Sequence, residues 1–79
     1  MKPRIVPLGD SAVLVQLGDE IDLAVNQRVH TLANLITTLV INGIIETVPA
    51  YATLLVHYDP LAFSFAKIKD ILREKLTQI

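Results

Sequence analysis

Two stretches of the chain repeat apolar residues at the spacing of a helix that buries one side. In the first, the interval alternates between four and three residues, at Val25, Val29, Leu32, Ile36 and Leu39. Asp22 lies just before them, and its carboxylate can accept hydrogen bonds from the free amides of a first turn. Asn42-Gly43 predicts where this helix stops, because glycine adopts the left-handed cap conformation without steric cost.

The second helical stretch lies near the end of the chain. Its apolar residues are Phe65, Ile68, Leu72 and Leu76, with Ile71 beside them. Ser64 precedes them and is a favourable N-cap. We therefore expect a helix from Ser64 to about Thr77 whose charged residues face water.

Four shorter stretches are typical of β-strands. They lie at residues 4–8, 11–17, 44–48 and 52–58. Gly9-Asp10 can form the tight turn between the first two, and Pro49-Ala50 separates the last two because proline cannot donate to a strand ladder. The order is hairpin, helix, hairpin, helix. It predicts an α+β fold with two layers, ββαββα, in which a four-stranded antiparallel sheet carries both helices on one face and residues 1–79 form a single domain.

Alternation along the strands divides their side chains between the two faces of this sheet. We assign Val13, Val15, Leu17, Leu54 and Val56 to the helix side. The side away from the helices, here called the open face, then holds Leu14 and Leu55 among Gln16, Thr53 and His57. That face is unusually apolar for a surface exposed to water.

The composition also predicts apolar side chains on the surface. Hydrophobic residues form 52% of the chain and charged residues 19%, whereas a domain this small hides only about 60% of its unfolded surface. Some apolar side chains must therefore remain on the surface, where such patches mark contacts with other chains or domains. We expect Leu14 and Leu55 to form an interface, either in a homodimer or under another domain.

Charge and residue types exclude several classes of function. Lys and Arg total 7 and Asp and Glu total 8, so the formal net charge of −1 argues against a nucleic-acid partner. The chain contains no cysteine, which removes disulfides and thiolate metal sites. No apolar run is long enough to span a membrane, so we expect a cytoplasmic protein with no membrane partner.

Few residues could carry chemistry, and the sequence by itself identifies no catalytic or cofactor-binding residue. The candidates to face a partner or a site are Asp10, Ser11, Tyr51, His57 and Asp59. Each also has a structural interpretation, since Asp in a Gly-Asp turn bonds its own backbone and Asp59-Pro60 ends a strand. No spacing of histidines or carboxylates predicts a metal site.

Two motifs add a resemblance to a known family. Residues 7–15 (PLGDSAVLV) and 48–60 (VPAYATLLVHYDP) resemble the two motifs of the KipI/PxpB family, known as allophanate hydrolase subunit 1 and as the B component of 5-oxoprolinase. Residues 25–29 (VNQRV) resemble the start of its first helix. Ala52-Thr53 departs from the family pattern, in which a larger polar residue and Ser are common.

The resemblance implies a ββαββα N-terminal domain that is followed, in family members, by a cyclophilin-like domain absent from these 79 residues. It implies a subunit of an ATP-dependent 5-oxoprolinase, which opens 5-oxoproline to glutamate together with a PxpC-type partner. This domain alone would need no cofactor, would be inactive in isolation and would mediate association; ATP would serve the complete complex.

Two alternatives to the oxoprolinase subunit stay open. One is a KipI-like inhibitor of a sporulation sensor histidine kinase, which would need only a binding surface. The other is a purely structural dimerisation domain. If the chain belongs to an oxoprolinase, the five candidate residues would line or support a surface between subunits.

Overall fold

The computed structural model describes residues 2–79, and its elements follow the predicted order. The strands are β1 (Arg4–Pro7), β2 (Ala12–Gln16), β3 (Ile44–Pro49) and β4 (Thr53–Tyr58), and the helices are α1 (Leu23–Leu39) and α2 (Phe65–Leu76). The four strands form one antiparallel sheet in the order β1-β2-β4-β3. The predicted α+β fold is confirmed.

The core lies between the sheet and the helices. The five residues assigned to the helix side are all at most 2% exposed, namely Val13, Val15, Leu17, Leu54 and Val56. Residues of both helices, among them Leu32 and Ile68, belong to the same buried cluster, so the two helices cover one face. Burial stabilises the fold by about 1.5–3 kcal/mol for each large aliphatic side chain.

The N-terminal caps of both helices follow the sequence prediction. An Asp22 carboxylate oxygen accepts from the Ala24 N–H at 2.8 Å, and the Ser64 hydroxyl accepts from the Lys67 N–H at 3.2 Å. Both side chains satisfy amides that have no partner inside the helix.

The C-terminal end of α1 differs from the prediction. The helix stops at Leu39, and Val40, not Gly43, takes the left-handed cap conformation with φ 49° and ψ 58°. Gly43 also has a positive φ, 103°, but it turns the chain into β3. Since Leu39 lies in the last turn and is 46% exposed, it does not continue the buried stripe of α1.

The strand β3 contains an irregularity that sequence alternation did not predict. Ile44 pairs with Tyr58 and Glu46 pairs with His57, which leaves Ile45 as an extra residue in the ladder. A bulge of this kind changes the face on which the following residues lie. Within residues 2–79, neither helix is long and apolar enough to cross a membrane.

Candidate functional site

A row of apolar side chains crosses the open face from one edge of the sheet to the other. Val6 pairs with Leu14, Leu14 pairs with Leu55, and Leu55 pairs with Val48. These four residues, here called the apolar row, come from β1, β2, β4 and β3 in that spatial order. Val48 is 43% exposed and the other three are half-buried. A contiguous apolar surface of this kind is a candidate contact site.

Two rows that contain polar side chains flank the apolar row, one on each side. One flanking row joins Arg4, Gln16 and Thr53 across β1, β2 and β4. The other joins Ala12, His57 and Glu46 across β2, β4 and β3. An apolar centre with a polar rim is the usual anatomy of a protein interface.

His57 and Glu46 lie next to each other on this face. His57 Nε2 lies 3.9 Å from a Glu46 carboxylate oxygen, which is too long for a hydrogen bond. Both side chains are exposed to water, so the attraction between them is weak. Both therefore stay available for a group supplied by a partner.

Both edges of the sheet are unsuited to adding a further strand. Pro3 precedes β1 and Pro7 ends it, and proline has no N–H to donate to a new ladder. On the other edge β3 has its extra residue at Ile45 and ends at Pro49. Natural proteins use such features to prevent edge pairing, so the face, and not an edge, is the surface suited to a partner.

Three of the predicted site residues, Asp10, Ser11 and Asp59, lie at one end of the sheet, and two of them make backbone hydrogen bonds there. Asp10 and Ser11 form the turn between β1 and β2, and the Ser11 carbonyl accepts from the Tyr58 N–H at 3.0 Å. The Asp59 N–H donates to the Gly43 carbonyl at 2.7 Å, and its carboxylate accepts from the Leu61 N–H at 2.9 Å. The carboxylate of Asp59 thus orders the turn that follows β4.

Tyr51 lies at the opposite end of the sheet. It precedes β4, whereas Asp59 follows it, so the length of the strand separates the two. The Tyr51 carbonyl accepts from the Asn26 side-chain amide at 3.0 Å, which ties the turn before β4 to α1. The structure therefore does not bring Tyr51 together with Asp10, Ser11 and Asp59.

His57 and the interface candidates Leu14 and Leu55 share the open face, as the alternation pattern predicted. Sequence reasoning missed Val6, Val48 and the charged corners Arg4 and Glu46. Val6 could have been found by extending the alternation into β1. The face on which Glu46 and Val48 lie could not have been predicted in this way, because it depends on the bulge at Ile45.

The clefts of the described chain are open and do not include the five residues predicted to face a partner or a site. Three open clefts of about 240 to 270 Å³ are lined by other residues than Asp10, Ser11, Tyr51, His57 and Asp59. Within residues 2–79, no three histidine or acidic side chains come together in a way that could hold a metal ion.

Comparison with known proteins extends this result. Residues 3–79 match the family described as carboxyltransferase domain, subdomain C and D. The chain is 36% identical to the B component of the 5-oxoprolinase of Bacillus subtilis over 86 aligned positions, which cover 96% of this chain and 36% of that protein.

Three solved structures are also similar to this chain. A conserved uncharacterized protein of Pyrococcus horikoshii is 43% identical, with a TM-score of 0.88 over 95% of this chain and 35% of the other. The N-terminal domain of the histidine kinase inhibitor KipI from Bacillus subtilis is 34% identical, with a TM-score of 0.79 over 98% of this chain and 86% of the other. Urea carboxylase of Kluyveromyces lactis shares the fold. It is 22% identical, with a TM-score of 0.91 over 98% of this chain and 7% of the other.

The chain spans about a third of the 5-oxoprolinase component and of the Pyrococcus protein that it matches, at 36% and 35% of their lengths. The resemblance of its two motifs to the KipI/PxpB family is confirmed by these matches. The chain belongs to the family of carboxyltransferase domains, subdomain C and D.

Proposed function

We propose that this chain is the association-mediating domain of a subunit of an ATP-dependent 5-oxoprolinase. One observation carries the proposal. The apolar row crosses all four strands of a face that no element of the described chain covers, in a chain 36% identical to a 5-oxoprolinase component. The partner on this face would be a PxpC-type subunit, with its apolar side chains packed on Leu14 and Leu55.

The residues of this domain do not suit ATP. The phosphates of a nucleotide need backbone amides in a glycine-rich loop or basic side chains near a helix N-terminus. The cleft beside the start of α1 is lined by Asp19, Glu20 and Asp22 with a single basic residue, Arg28, so the summed charge of its lining disfavours a phosphate. We therefore place ATP and the groups that open the lactam ring elsewhere in the complex.

The proposal is tested by 5-oxoproline-dependent ATP hydrolysis, measured with the protein that carries this chain and the other oxoprolinase subunits. We expect the protein to stimulate hydrolysis and Leu14→Glu to lower that stimulation at least tenfold, because an unpaired charge buried at a contact costs several kcal/mol. Leu61→Glu is the matched control, since Leu61 lies in a turn away from the face and is 96% exposed.

Two results would contradict the proposal. One is an absence of stimulation by the unmodified protein. The other is equal loss of stimulation in Leu14→Glu and Leu61→Glu while both variants keep the wild-type circular dichroism spectrum. The second result would show that the open face contributes nothing particular to assembly.

The likeness to the N-terminal domain of the inhibitor KipI supports a second candidate function, inhibition of a sensor histidine kinase. That domain matches this chain over 98% of its residues. The test is autophosphorylation of a sensor histidine kinase with and without the protein. Inhibition that Leu14→Glu removes, without any stimulation of 5-oxoproline-dependent ATP hydrolysis, would favour this function.

A further inference from the structure

We infer that the open face also docks on the same face of a second copy of this chain, with the two sheets crossed at nearly a right angle. In this arrangement Arg4 of each copy meets Glu46 of the other. The inference rests on the proposed function, because it assigns to the same face a second partner that competes with the PxpC-type subunit. It is supported by the positions of two charges, by symmetry and by the surroundings of the charges, and the size of the contact limits its strength.

The two charges lie far apart on one face. Arg4 lies on edge strand β1 in the row of Gln16 and Thr53. Glu46 lies on the other edge strand, β3, in the row of His57 and Ala12. The two charged residues thus occupy diagonal corners of the open face. Strand spacing of about 4.8 Å and a rise of about 3.3 Å per residue put them roughly 20 Å apart.

Symmetry restricts how two copies can meet. Two copies that bind through the same surface are related by a two-fold axis, which here lies between the sheets and parallel to them. The other two corners of the face lie near Ala50, beyond the end of β3, and near Leu8, beyond the end of β1. An axis along the strands sets Arg4 over the Ala50 corner of the second copy, and an axis across the strands sets it over the Leu8 corner. Only an axis along the other diagonal of the face brings Arg4 over Glu46 of the second copy. This axis crosses the strands of the two sheets at about 90°, one of the two common packings of sheets.

The surroundings of the two charges suit opposite partners. Arg4 forms no ion pair within 4.0 Å in the part of the chain that the structure describes, so its charge is open to a carboxylate of a second copy. Glu46 has only the imidazole of His57 within 4.0 Å among the charged groups of the described chain. Each corner therefore suits a charge of the opposite sign. The formal net charge of the whole chain is only −1, so two copies repel each other little.

The size of the contact sets its strength. Four strands at about 4.8 Å spacing and three rows of side chains along them cover roughly 300 Å² in projection. A stable interface buries about 800 Å² on each partner. The contact between copies is therefore weak and reversible, with Leu14 and Leu55 at its centre and the two Arg4–Glu46 pairs at its rim.

The experiment is sedimentation equilibrium of the full chain at low ionic strength, up to millimolar protein. We expect a reversible dimer of the unmodified chain. Arg4→Glu and Glu46→Arg should each weaken it about tenfold or more, because two like-charge contacts replace two attractive ones. The double variant R4E/E46R should restore the dimer. Within one copy the residues are too far apart to contact, so only an intermolecular pair explains such a rescue.

The outcomes separate this inference from the proposed function. A chain that stays monomeric at millimolar concentration overturns the inference, as does a double variant that dimerises no better than the single ones. Either result leaves stimulation of ATP hydrolysis and its sensitivity to Leu14→Glu as an independent test of the proposed function. Both charged residues are exposed, so these variants are expected to fold, and Leu61→Glu is again the control.

Discussion

Gly43 lies so close to Phe63 that a Cβ at position 43 would come within 2.6 Å of Phe63 Cε2. The contact joins the loop after α1 to the turn before α2. It also leaves no room for a side chain at position 43. Its φ of 103° lets the chain pass beneath the aromatic ring into β3.

Gly43→Ala should therefore destabilise the domain by roughly 2–4 kcal/mol, from a strained backbone and from overpacking against the ring. The measurement is the midpoint of urea unfolding. Gly9→Ala is the matched control, since Gly9 also has a positive φ, 73°, but no neighbour within 4 Å of an added Cβ. It should cost only about 1 kcal/mol. Equal losses in the two variants would contradict the role of Phe63.

Val40 ends α1 in a conformation that a β-branched residue rarely adopts. Its φ of 49° strains the backbone, and its side chain is 82% exposed, so little burial compensates. Val40→Gly should stabilise the domain by about 0.5–1 kcal/mol, which raises Tm by several degrees in a chain of this size. Leu39→Gly, one residue earlier in the helix, should lower Tm; a fall in both variants would be inconsistent with strain at Val40.

Asp59 allows a structural role to be separated from a functional one. Its carboxylate accepts from the Leu61 N–H at 2.9 Å, and an asparagine side chain can make the same bond. Asp59→Asn should therefore keep wild-type stability, while Asp59→Ala should lose about 1 kcal/mol. If the negative charge serves a partner, Asp59→Asn should nevertheless lower the stimulation of 5-oxoproline-dependent ATP hydrolysis. Full stimulation in Asp59→Asn would restrict Asp59 to the turn.

Leu72 and Leu61 contrast core and surface within one type of side chain. Leu72 is 0% exposed in the cluster between α2 and the sheet, whereas Leu61 is 96% exposed. Leu72→Ala should cost about 2–5 kcal/mol, through lost transfer free energy and the cavity that remains. Leu61→Ala should change stability by less than about 0.5 kcal/mol. Unfolding by urea measures both, and comparable losses would contradict the assigned core.

Much of the fold could be predicted from the sequence because its signals are local. The helical spacing of Val29, Leu32 and Ile36 corresponds to the buried side of α1, and the caps at Asp22 and Ser64 depend on residues two or three positions away. Leu39 was assigned wrongly because its burial depends on where the helix stops. That point is set by Val40 and by the packing of Gly43 under Phe63, which sequence spacing does not describe.

The candidate site was predictable only in part. Leu14, Leu55 and His57 were placed on the open face by the alternation of β2 and β4, and the structure agrees. Their pairing with Val6 and Val48 required the strand order and the register. Asp10, Ser11 and Asp59 share one end of the sheet while Tyr51 lies at the other, a division that comes from the direction of each strand.

The sequence by itself determined the kinds of elements, their order and which residues of the central strands face the helices. These properties follow from the periodicity of apolar residues along a short segment. Only the tertiary structure decided the order β1-β2-β4-β3 and the bulge at Ile45. The order comes from the pairing of β2 with β4, which are distant in the chain, and the bulge comes from the register between the consecutive strands β3 and β4. Together they align four apolar side chains across the sheet and set Arg4 and Glu46 at opposite corners of one face.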